Sequence, residues 1–297
     1  MQRSVKATLG SIGLLLAGCA AYLLAQPPAE LPTAPLDNAG QDVTGAFEGW
    51  FKNPDGTFSL LVGYFNRNLK QELDIPIGAN NHIDPGGPDQ GQPTHFLPRR
   101  QWGVFTVTVP KDFGEKKLTW TLVSNGRTDA IPLSLNPLWE ISPFHEESMN
   151  NTPPFVGFNA NGPFVQGPRP MTISMSATVG NPVALNVWAA DDAKVLEGAK
   201  KNPPGPPLTL TWCKLRGPGE VKFEKEKPSL EKVDFKVPDG TKVSGKATTT
   251  ATFSEPGEYV LRVVANDWSG DGGRGFQCCW TNAIVKVSVK PATSASR

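Results

Sequence analysis

Two histidines and four charged residues lie in one stretch of the sequence where they could bind a ligand. The stretch, residues 80–100, is rich in proline and glycine, which favours a long ordered loop over a strand. His82, Asp84 and His95 are residue types that bind transition metals. No regular element fixes their spacing, so we favour a polar loop whose histidines hydrogen-bond the backbone and whose arginines cover a sheet edge. The binding-loop candidates are His82, Asp84, Asp89, His95, Arg99 and Arg100.

Cys213, Cys278 and Cys279 form the second group with possible chemistry. Free thiols are rare in an oxidising compartment, so a disulfide is expected. Alternation turns Cys213 to the outer face of its strand, and the loop at residues 268–280 is long enough to cross that face. A Cys213–Cys278 bond is therefore the first expectation. A bond between the neighbours Cys278 and Cys279 is the second, and a soft-metal or redox site is the third, since no Cys-x-x-Cys spacing is present.

Catalytic motifs are scarce. The sequence has no Gly-x-Ser-x-Gly and no phosphate-binding loop. His145-Glu146-Glu147 begins like the zinc-protease motif, but Met149 stands where the second histidine must lie on the same helical face. A glycosidase acting through two carboxylates stays open, because its acids need no fixed spacing. It would need a groove lined by Trp50, Trp102 or Trp139. We expect a chain that is not an enzyme.

Composition excludes one class of partner. The 297 residues carry a formal net charge of +1, without the basic surplus of a nucleic-acid-binding protein. Glycine (30) and proline (29) are frequent, which favours turns and short strands. We therefore expect no nucleic-acid partner and a fold made mainly of strands.

The first 26 residues predict export. Arg3 and Lys6 precede an uncharged, mostly apolar run at residues 9–25, which is the pattern of an export signal. Leu16-Ala17-Gly18-Cys19 resembles the lipobox of bacterial lipoproteins, which implies cleavage before Cys19 and attachment of lipid to its thiol. Residues 22–24 keep the segment apolar, so conventional cleavage or an uncleaved anchor are alternatives. We expect a protein of the cell envelope, membrane-anchored and facing the periplasm or the exterior.

Proline, glycine and alternation divide the rest of the chain. Alternating segments, such as residues 104–109 and 118–122, predict half-buried strands. Asp55-Gly56 and Asn125-Gly126 are turn signals next to such segments. The predicted regions are a proline-rich tether at 27–42, a β-sandwich-like domain at 43–142, a proline-rich linker at 143–170, a second sandwich at 171–290 and a tail at 291–297.

The region at about 171–290 resembles a PKD-type immunoglobulin-like domain of bacterial extracellular proteins. The resemblance is carried by Thr178-Val-Gly-Asn-Pro-Val, Asp191-Asp192, Pro207-Leu-Thr-Leu-Thr-Trp and Ser254-Glu-Pro-Gly-Glu-Tyr, in that order. It implies a seven-stranded sandwich that acts as a spacer, an adhesive module or an interaction domain without catalysis. An insertion at 193–206 and the cysteine-containing last loop depart from the pattern. Independently, the apolar alternation predicts Trp212, Tyr259 and Leu261 as core residues.

Four carboxylates predict a possible calcium site. In an immunoglobulin-like sandwich, the loop after the second strand and the loop before the last strand lie at the same pole. These loops carry the candidate ligands Asp191, Asp192, Asp267 and Asp271. Carboxylate oxygens suit Ca²⁺, although aspartate and glycine are also what tight turns need. Apart from this possible calcium ion, no cofactor is expected.

Together these patterns predict an all-β chain with two β-sandwich, immunoglobulin-like domains in tandem after an N-terminal signal or anchor. The expected function is non-catalytic display of a binding or scaffold surface, as an accessory subunit of an envelope complex with a protein partner. The alternative is a calcium- or carbohydrate-binding module that accompanies an extracellular enzyme.

Overall fold

Strands with the predicted period of two make up most of the chain. The computed structural model describes residues 37–146, 150–194, 206–267 and 278–292. These residues form sixteen β-strands and one 3₁₀ turn at Pro137–Trp139, with no α-helix among them. The predicted all-β fold class is confirmed. Within these ranges no helix is long and apolar enough to cross a membrane. The predicted leader with Cys19, and most of the predicted tether, lie outside the described residues.

The first eight strands form a small antiparallel sandwich, called here the N-terminal sandwich. Strands β1, β2 and β6 make one sheet, β4, β7 and β8 make the second, and β3 and β5 form a short ribbon. Their bounds are β1 Val43–Lys52, β2 Phe58–Asn66, β3 Leu73–Asp74, β4 Asn81–Asp84, β5 His95–Phe96, β6 Arg99–Val109, β7 Lys117–Ser124 and β8 Arg127–Ser134.

Two turns predicted from the sequence join hairpins of this sandwich. Between β1 and β2, Asp55 Oδ1 accepts hydrogen bonds from the Thr57 N–H (3.0 Å) and hydroxyl (2.7 Å). Between β7 and β8, Asn125 and Gly126 have φ values of 46° and 77°. Positive φ at both central residues is the type I′ geometry, whose twist matches that of the flanking strands. Both hairpin predictions are confirmed.

The last eight strands form the C-terminal sandwich. One sheet has the order β10-β16-β15-β12 and the other β13-β14-β11-β9. The bounds are β9 Phe155–Gly157, β10 Met171–Thr178, β11 Val183–Asp191, β12 Leu208–Arg216, β13 Val221–Phe223, β14 Val243–Phe253, β15 Gly257–Asp267 and β16 Trp280–Lys290.

This strand order is that of an immunoglobulin-like sandwich. The first strand is split between the sheets, so that β9 pairs with β11 and β10 runs parallel to β16. Tyr259 lies near the start of β15, and its hydroxyl donates to the Glu255 carbonyl (2.9 Å), which is a tyrosine corner. Trp212, Tyr259 and Leu261 are at most 2% exposed, so the three core predictions are confirmed.

Residues 143–170, predicted as a linker, belong largely to the C-terminal sandwich. They contain β9, whose Val156 is fully buried, and the Gly167 N–H donates to the Thr281 hydroxyl (2.9 Å). A three-residue strand between prolines has too little alternation to be read from sequence, and proline is tolerated because β9 is an edge strand. The chain between the sandwiches is therefore packed structure rather than a spacer.

The two sandwiches share a buried interface. Leu215 and Ile284 of the C-terminal sandwich belong to the apolar core of the N-terminal one. A second apolar cluster joins Phe51, Leu61 and Ile141 to Val264 and Trp280. Trp280 packs so closely on Gly103 that a Cβ there would overlap the indole ring. This burial of apolar side chains favours one rigid body over two domains that move independently.

One buried cation fastens this interface with hydrogen bonds. Arg262 is 4% exposed, and its Nη2 donates to the carbonyls of Trp102 (3.2 Å) and Gly103 (3.3 Å). Its Nε donates to Asn282 Oδ1 (3.0 Å), and Asn282 Nδ2 donates in turn to the Gly103 carbonyl (2.7 Å). Because each of these contacts is directional, they fix the register of the two sandwiches.

Candidate functional site

Buried carboxylates meet at one pole of the C-terminal sandwich. Strand β11 ends at Asp191 and strand β15 ends at Asp267, and both side chains are almost fully buried. Asn151, just before β9, donates from Nδ2 to Asp267 Oδ2 (2.6 Å). The three residues are brought together because β11, β15 and the lead-in to β9 all end at this pole. We call Asn151, Asp191 and Asp267 the acidic pole.

Electrostatics at the acidic pole disfavour negative charge. Burial raises the pKa of Asp191 to about 7, the Ala193 N–H partly offsets this rise, and the charges of Asp267 and Asp192 add to it. A carboxyl group with this pKa is partly protonated at neutral pH. A bound cation would remove that penalty, since opposite charge favours the ionised form.

Two oxygen atoms at the acidic pole lack a hydrogen-bond donor among the described residues. Asp191 Oδ2 accepts from the Ala193 N–H (2.7 Å), but Asp191 Oδ1 is buried without a partner. Asn151 Oδ1 is likewise buried and unsatisfied. An unsatisfied buried acceptor costs about 1–3 kcal/mol, so both atoms are suited to a ligand that accepts electron pairs.

The predicted four-carboxylate set is only partly assembled. Asp192 already has other partners: it accepts from the Thr152 hydroxyl (3.0 Å) and pairs with Lys194 (3.5 Å). Asp271 lies outside the described residues. Among the residues the structure describes, no three carboxylate, imidazole or thiol groups form a metal-binding cluster. The oxygen ligands on offer are therefore Asp191, Asp267 and the amide of Asn151, a residue that sequence reasoning did not select.

A disulfide lies beside the acidic pole, and it is not the one expected first. Cys278 and Cys279 are bonded to each other, and Cys213 is a free thiol. The Cys213–Cys278 prediction is therefore wrong. Both bonded cysteines are buried, with Cys279 Sγ 3.8 Å from the Asn151 carbonyl oxygen. The Asp267 N–H also donates to the Cys279 carbonyl (3.5 Å), so the pair adjoins two residues of the pole.

The strand face that carries Cys213 is turned to the N-terminal sandwich. The cross-strand neighbour of Cys213 is Arg262, the residue that reaches into the N-terminal sandwich. The face of the sheet expected to receive the last loop is thus occupied. Burial raises the pKa of the Cys213 thiol, and Arg262 opposes that rise.

The stretch at 80–100 is not a strand-free loop. Residues 81–84 form β4, which pairs with β7, and residues 95–96 form β5, which pairs with β3. The alternation was hidden by prolines on both sides of these short segments. The expected long loop is therefore a folded part of the N-terminal sandwich.

The histidines of this stretch do not share a metal. His82 Nδ1 contacts the Gly78 carbonyl (3.1 Å), and its Nε2 lies 3.3 Å from Asp84. His95 is 6% exposed, with Nδ1 2.9 Å from Asp74 and Nε2 3.0 Å from Glu72. Since both ring nitrogens of His95 face carboxylates outside the predicted set, the His82–Asp84–His95 metal hypothesis is not supported.

The charged candidates of the stretch form ion pairs and ring contacts within the fold. Asp89 makes a two-point contact with Arg216 of the C-terminal sandwich (2.8 and 3.0 Å). Arg100 pairs with Glu48 (2.7 Å) and lies 3.8 Å above the Trp102 ring. Arg99 adopts φ +70° and its guanidinium stands 5.3 Å from the Phe65 ring.

A polar cleft of about 570 Å³ separates part of the two sandwiches. One wall carries the His95–Asp74–Glu72 group, and the other carries Cys213 and Lys214. The Lys214 ammonium lies 3.4 Å from Asp74, so charges of opposite sign are paired across the cleft. The cleft brings together residues that are far apart in sequence, which no spacing pattern could indicate.

The tryptophans of the glycosidase alternative do not form a shared groove. Trp50 is buried, and its indole N–H donates to the Asn136 carbonyl (2.8 Å). Arg100 covers Trp102 as described above. Trp139 is 49% exposed and contacts Phe47. A buried Trp50 cannot stack against a sugar ring.

Comparisons with known proteins identify no family. No family model and no curated protein matches the chain. Among solved structures, a protein of unknown function from Porphyromonas gingivalis W83 is 10% identical with a TM-score of 0.24, covering 83% of this chain and 99% of that one. The D00-D0 domain of intimin is 13% identical with a TM-score of 0.25 over 83% and 99% of the two chains. Cadherin-like domains 1 to 4 of zebrafish RET are 14% identical with a TM-score of 0.24, over 71% and 40%. At these scores the fold assignment rests on the strand order alone.

Proposed function

We propose that this chain is an exported, membrane-anchored protein of the cell envelope that displays a binding surface and has no catalytic activity. In this role it is an accessory subunit that holds a protein partner above the membrane. The single observation that carries the proposal is the interface between the sandwiches. There, Arg262 and Asn282 donate hydrogen bonds to the Gly103 carbonyl, and the Trp280 indole packs against Gly103.

The interface supports display because it makes the two sandwiches one platform. Inter-domain interfaces in flexible chains are small and polar, whereas this one has an apolar cluster and a buried hydrogen-bonded cation. A binding surface on a rigid platform loses less entropy on binding a partner than one on a flexible chain. The sequence pattern at residues 1–26 supports an export signal ahead of this platform, followed by a tether.

Cell fractionation with intact-mass measurement tests the proposal. We expect the full chain in the membrane fraction, digested by protease added outside the inner membrane, with a mass that shows cleavage before Cys19 and added acyl chains. The Cys19→Ser variant should lose the acyl mass and leave the membrane fraction. A full-length chain in the cytosol, protected from external protease, would refute export and with it the proposed function.

A second candidate function, calcium-dependent stabilisation, is favoured by the unsatisfied oxygens Asp191 Oδ1 and Asn151 Oδ1. Ca²⁺ binds six to eight oxygen atoms in flexible arrangements, and water fills the positions that protein does not. The acidic pole offers two carboxylates and one amide in a buried, hydrogen-bonded frame. In this function Ca²⁺ would fix the pole from which the chain enters β9.

Calorimetric titration of the chelator-treated full chain tests this candidate. We expect Ca²⁺ to bind with a Kd of about 10⁻⁴–10⁻³ M, the range of extracellular calcium modules, and Mg²⁺ to bind more weakly. Asp191→Asn should abolish the binding heat. Asp239→Asn, at an exposed turn of the same sandwich, is the matched control and should leave it unchanged. Unchanged binding heat in a folded Asp191→Asn variant would mean that the ion binds elsewhere.

A further inference from the structure

A second cavity, of about 430 Å³, lies between the sandwiches, and we call it the interface pocket. Its apolar lining comes from Val104 of β6, Leu215 of β12, Val260 of β15 and Ile284 of β16. Pro168 and Pro170 close one side. The volume falls in the range of about 300–1,000 Å³ that is typical of small-molecule sites, and domain interfaces are where such sites are common.

A local irregularity of β12 builds the floor of the interface pocket. The pairing of β12 with β15 shifts register between Lys214 and Arg216, so Leu215 has no partner across the ladder. Leu215 lies on the same outer face of β12 as Cys213, in the core of the N-terminal sandwich, and the bulge brings Arg216 onto that face, opposite Val260. Bulges re-aim side chains at functional positions, and here the re-aimed residue is Arg216, which lines the same cavity as Leu215.

The mouth of the interface pocket carries a surplus of positive charge. Arg216 binds the Asp89 carboxylate at two points (2.8 and 3.0 Å), and its Nε donates to the Gln92 carbonyl (2.7 Å). Lys286 is exposed on the same rim, where it helps Arg216 to hold the pKa of Asp89 below its usual range. Two cations and one carboxylate leave the mouth with one net positive charge.

We propose that the interface pocket binds a small carboxylate with an apolar body, the carboxylate at Lys286 and the body against Val104, Val260 and Ile284. The positive charge at the mouth favours an anionic group, and the apolar lining favours an apolar body attached to that group. A plain hydrocarbon would make only the apolar contacts with the lining. An inorganic anion would make only the charge interaction at the mouth. This site is distinct from the acidic pole and goes beyond the display function proposed above.

The test uses a matched pair of ligands with the full chain: 3-phenylpropanoate and its neutral amide. Saturation-transfer NMR detects binding, and titration gives the affinities. We expect the acid to bind about fivefold more tightly than the amide, as for one partly exposed ion pair. Lys286→Glu should remove that difference, whereas Lys290→Glu, on the same strand outside the pocket, should preserve it.

A second variant locates the binding. Thr106 lines the interface pocket, so Thr106→Trp should fill it and abolish binding of both ligands. Thr108→Trp, on the same face of β6 but exposed and outside the lining, should bind both ligands like the wild type. Magnetisation transfer between the ligand ring and the methyl groups of Val260 and Ile284 checks the position without any substitution.

Three results would overturn the proposal. The first is no binding of the acid, and the second is equal affinity for acid and amide in the wild type. The third is unchanged binding in a folded Thr106→Trp variant, or magnetisation transfer to methyl groups elsewhere. Loss of the preference for the acid in Lys286→Glu, together with transfer from Val260 and Ile284 in the wild type, would support it.

Discussion

The Asn151 side-chain amide donates a 2.6 Å hydrogen bond to the Asp267 carboxylate across 116 residues of sequence. The bond ties the lead-in to the first strand of the C-terminal sandwich to the end of β15. Asn151→Ala should therefore lower the free energy of unfolding by about 1–3 kcal/mol, because it leaves a buried carboxylate with one donor fewer. Denaturant unfolding measures the change. Asn161→Ala, at an exposed position, should change it by less than about 0.5 kcal/mol.

The raised pKa of Asp191 predicts a pH-dependent stability in the presence of a chelator. The folded pKa is about 7 and the ordinary value is 3.8. Between these values the folded chain keeps a proton that the unfolded chain has released, so the free energy of unfolding falls as pH rises. The slope contributed by Asp191 is at most about 1.4 kcal/mol per pH unit and fades as the pH rises through about 7.

Comparison with Asp191→Asn isolates this contribution. The difference in stability between wild type and variant should shift steadily in the variant's favour from about pH 4 to pH 7. A constant difference across that window would show that the Asp191 carboxyl is not protonated in the folded chain.

Arg262→Met should break the register of the two sandwiches. The substitution keeps apolar volume but removes the Arg262 donor from the Trp102 carbonyl and from Asn282 Oδ1, and it leaves the Gly103 carbonyl with the bond from Asn282 Nδ2. We expect a loss of about 3 kcal/mol or more in the free energy of unfolding. Lys222→Met, at an exposed position on β13, is the control. Equal stability of the two variants would contradict the role given to Arg262.

Gly103→Ala should destabilise the chain through a steric clash. Gly103 has φ +49° and faces the Trp280 indole, whereas Gly114 has φ +58° and only ordinary contacts around it. Since both positions carry a similar backbone penalty, the difference between Gly103→Ala and Gly114→Ala measures the clash. We expect it to be about 1–3 kcal/mol by thermal or chemical unfolding.

Thiol labelling distinguishes the cysteine pairings. Alkylation of the unfolded, unreduced chain should label Cys213, and peptide mapping should find Cys278 and Cys279 joined within one peptide. After reduction, all three should react. Labelled Cys279 together with unlabelled Cys213 before reduction would restore the first pairing expected from the sequence.

Period-two alternation was enough to predict most of the strands. Val183, Leu185 and Val187 of β11 and Tyr259, Leu261 and Val263 of β15 alternate because one side of each strand faces a core. The Asn125-Gly126 turn could also be predicted, because its conformation depends on these two residues and not on distant partners. Short segments such as β5 and β9 carry too few residues for a period, and their pairing is decided by partners far along the chain.

The candidate site was only half predictable. Asp191 and Asp267 follow strands whose ends share a pole, so topology alone brings them together. Asn151 could not be found, because the residues before it look like linker and its partner lies 116 positions away. The cysteine pairing failed because the sequence gives no sign that a second sandwich covers the strand face of Cys213.

The position of β16 in the sequence determines when, during synthesis, both sandwiches can finish folding. The last described strand is central, between β10 and β15, and it also carries Trp280, Asn282 and Ile284 to the N-terminal sandwich. During synthesis from the N-terminus, the first sandwich can pair all its strands while its partner face stays bare. The apolar faces of both sandwiches are covered only after β16 has been synthesised. A chain that stops before residue 280 therefore exposes apolar surface on each sandwich. A chain that lacks β16 therefore keeps apolar surface in water, which favours aggregation.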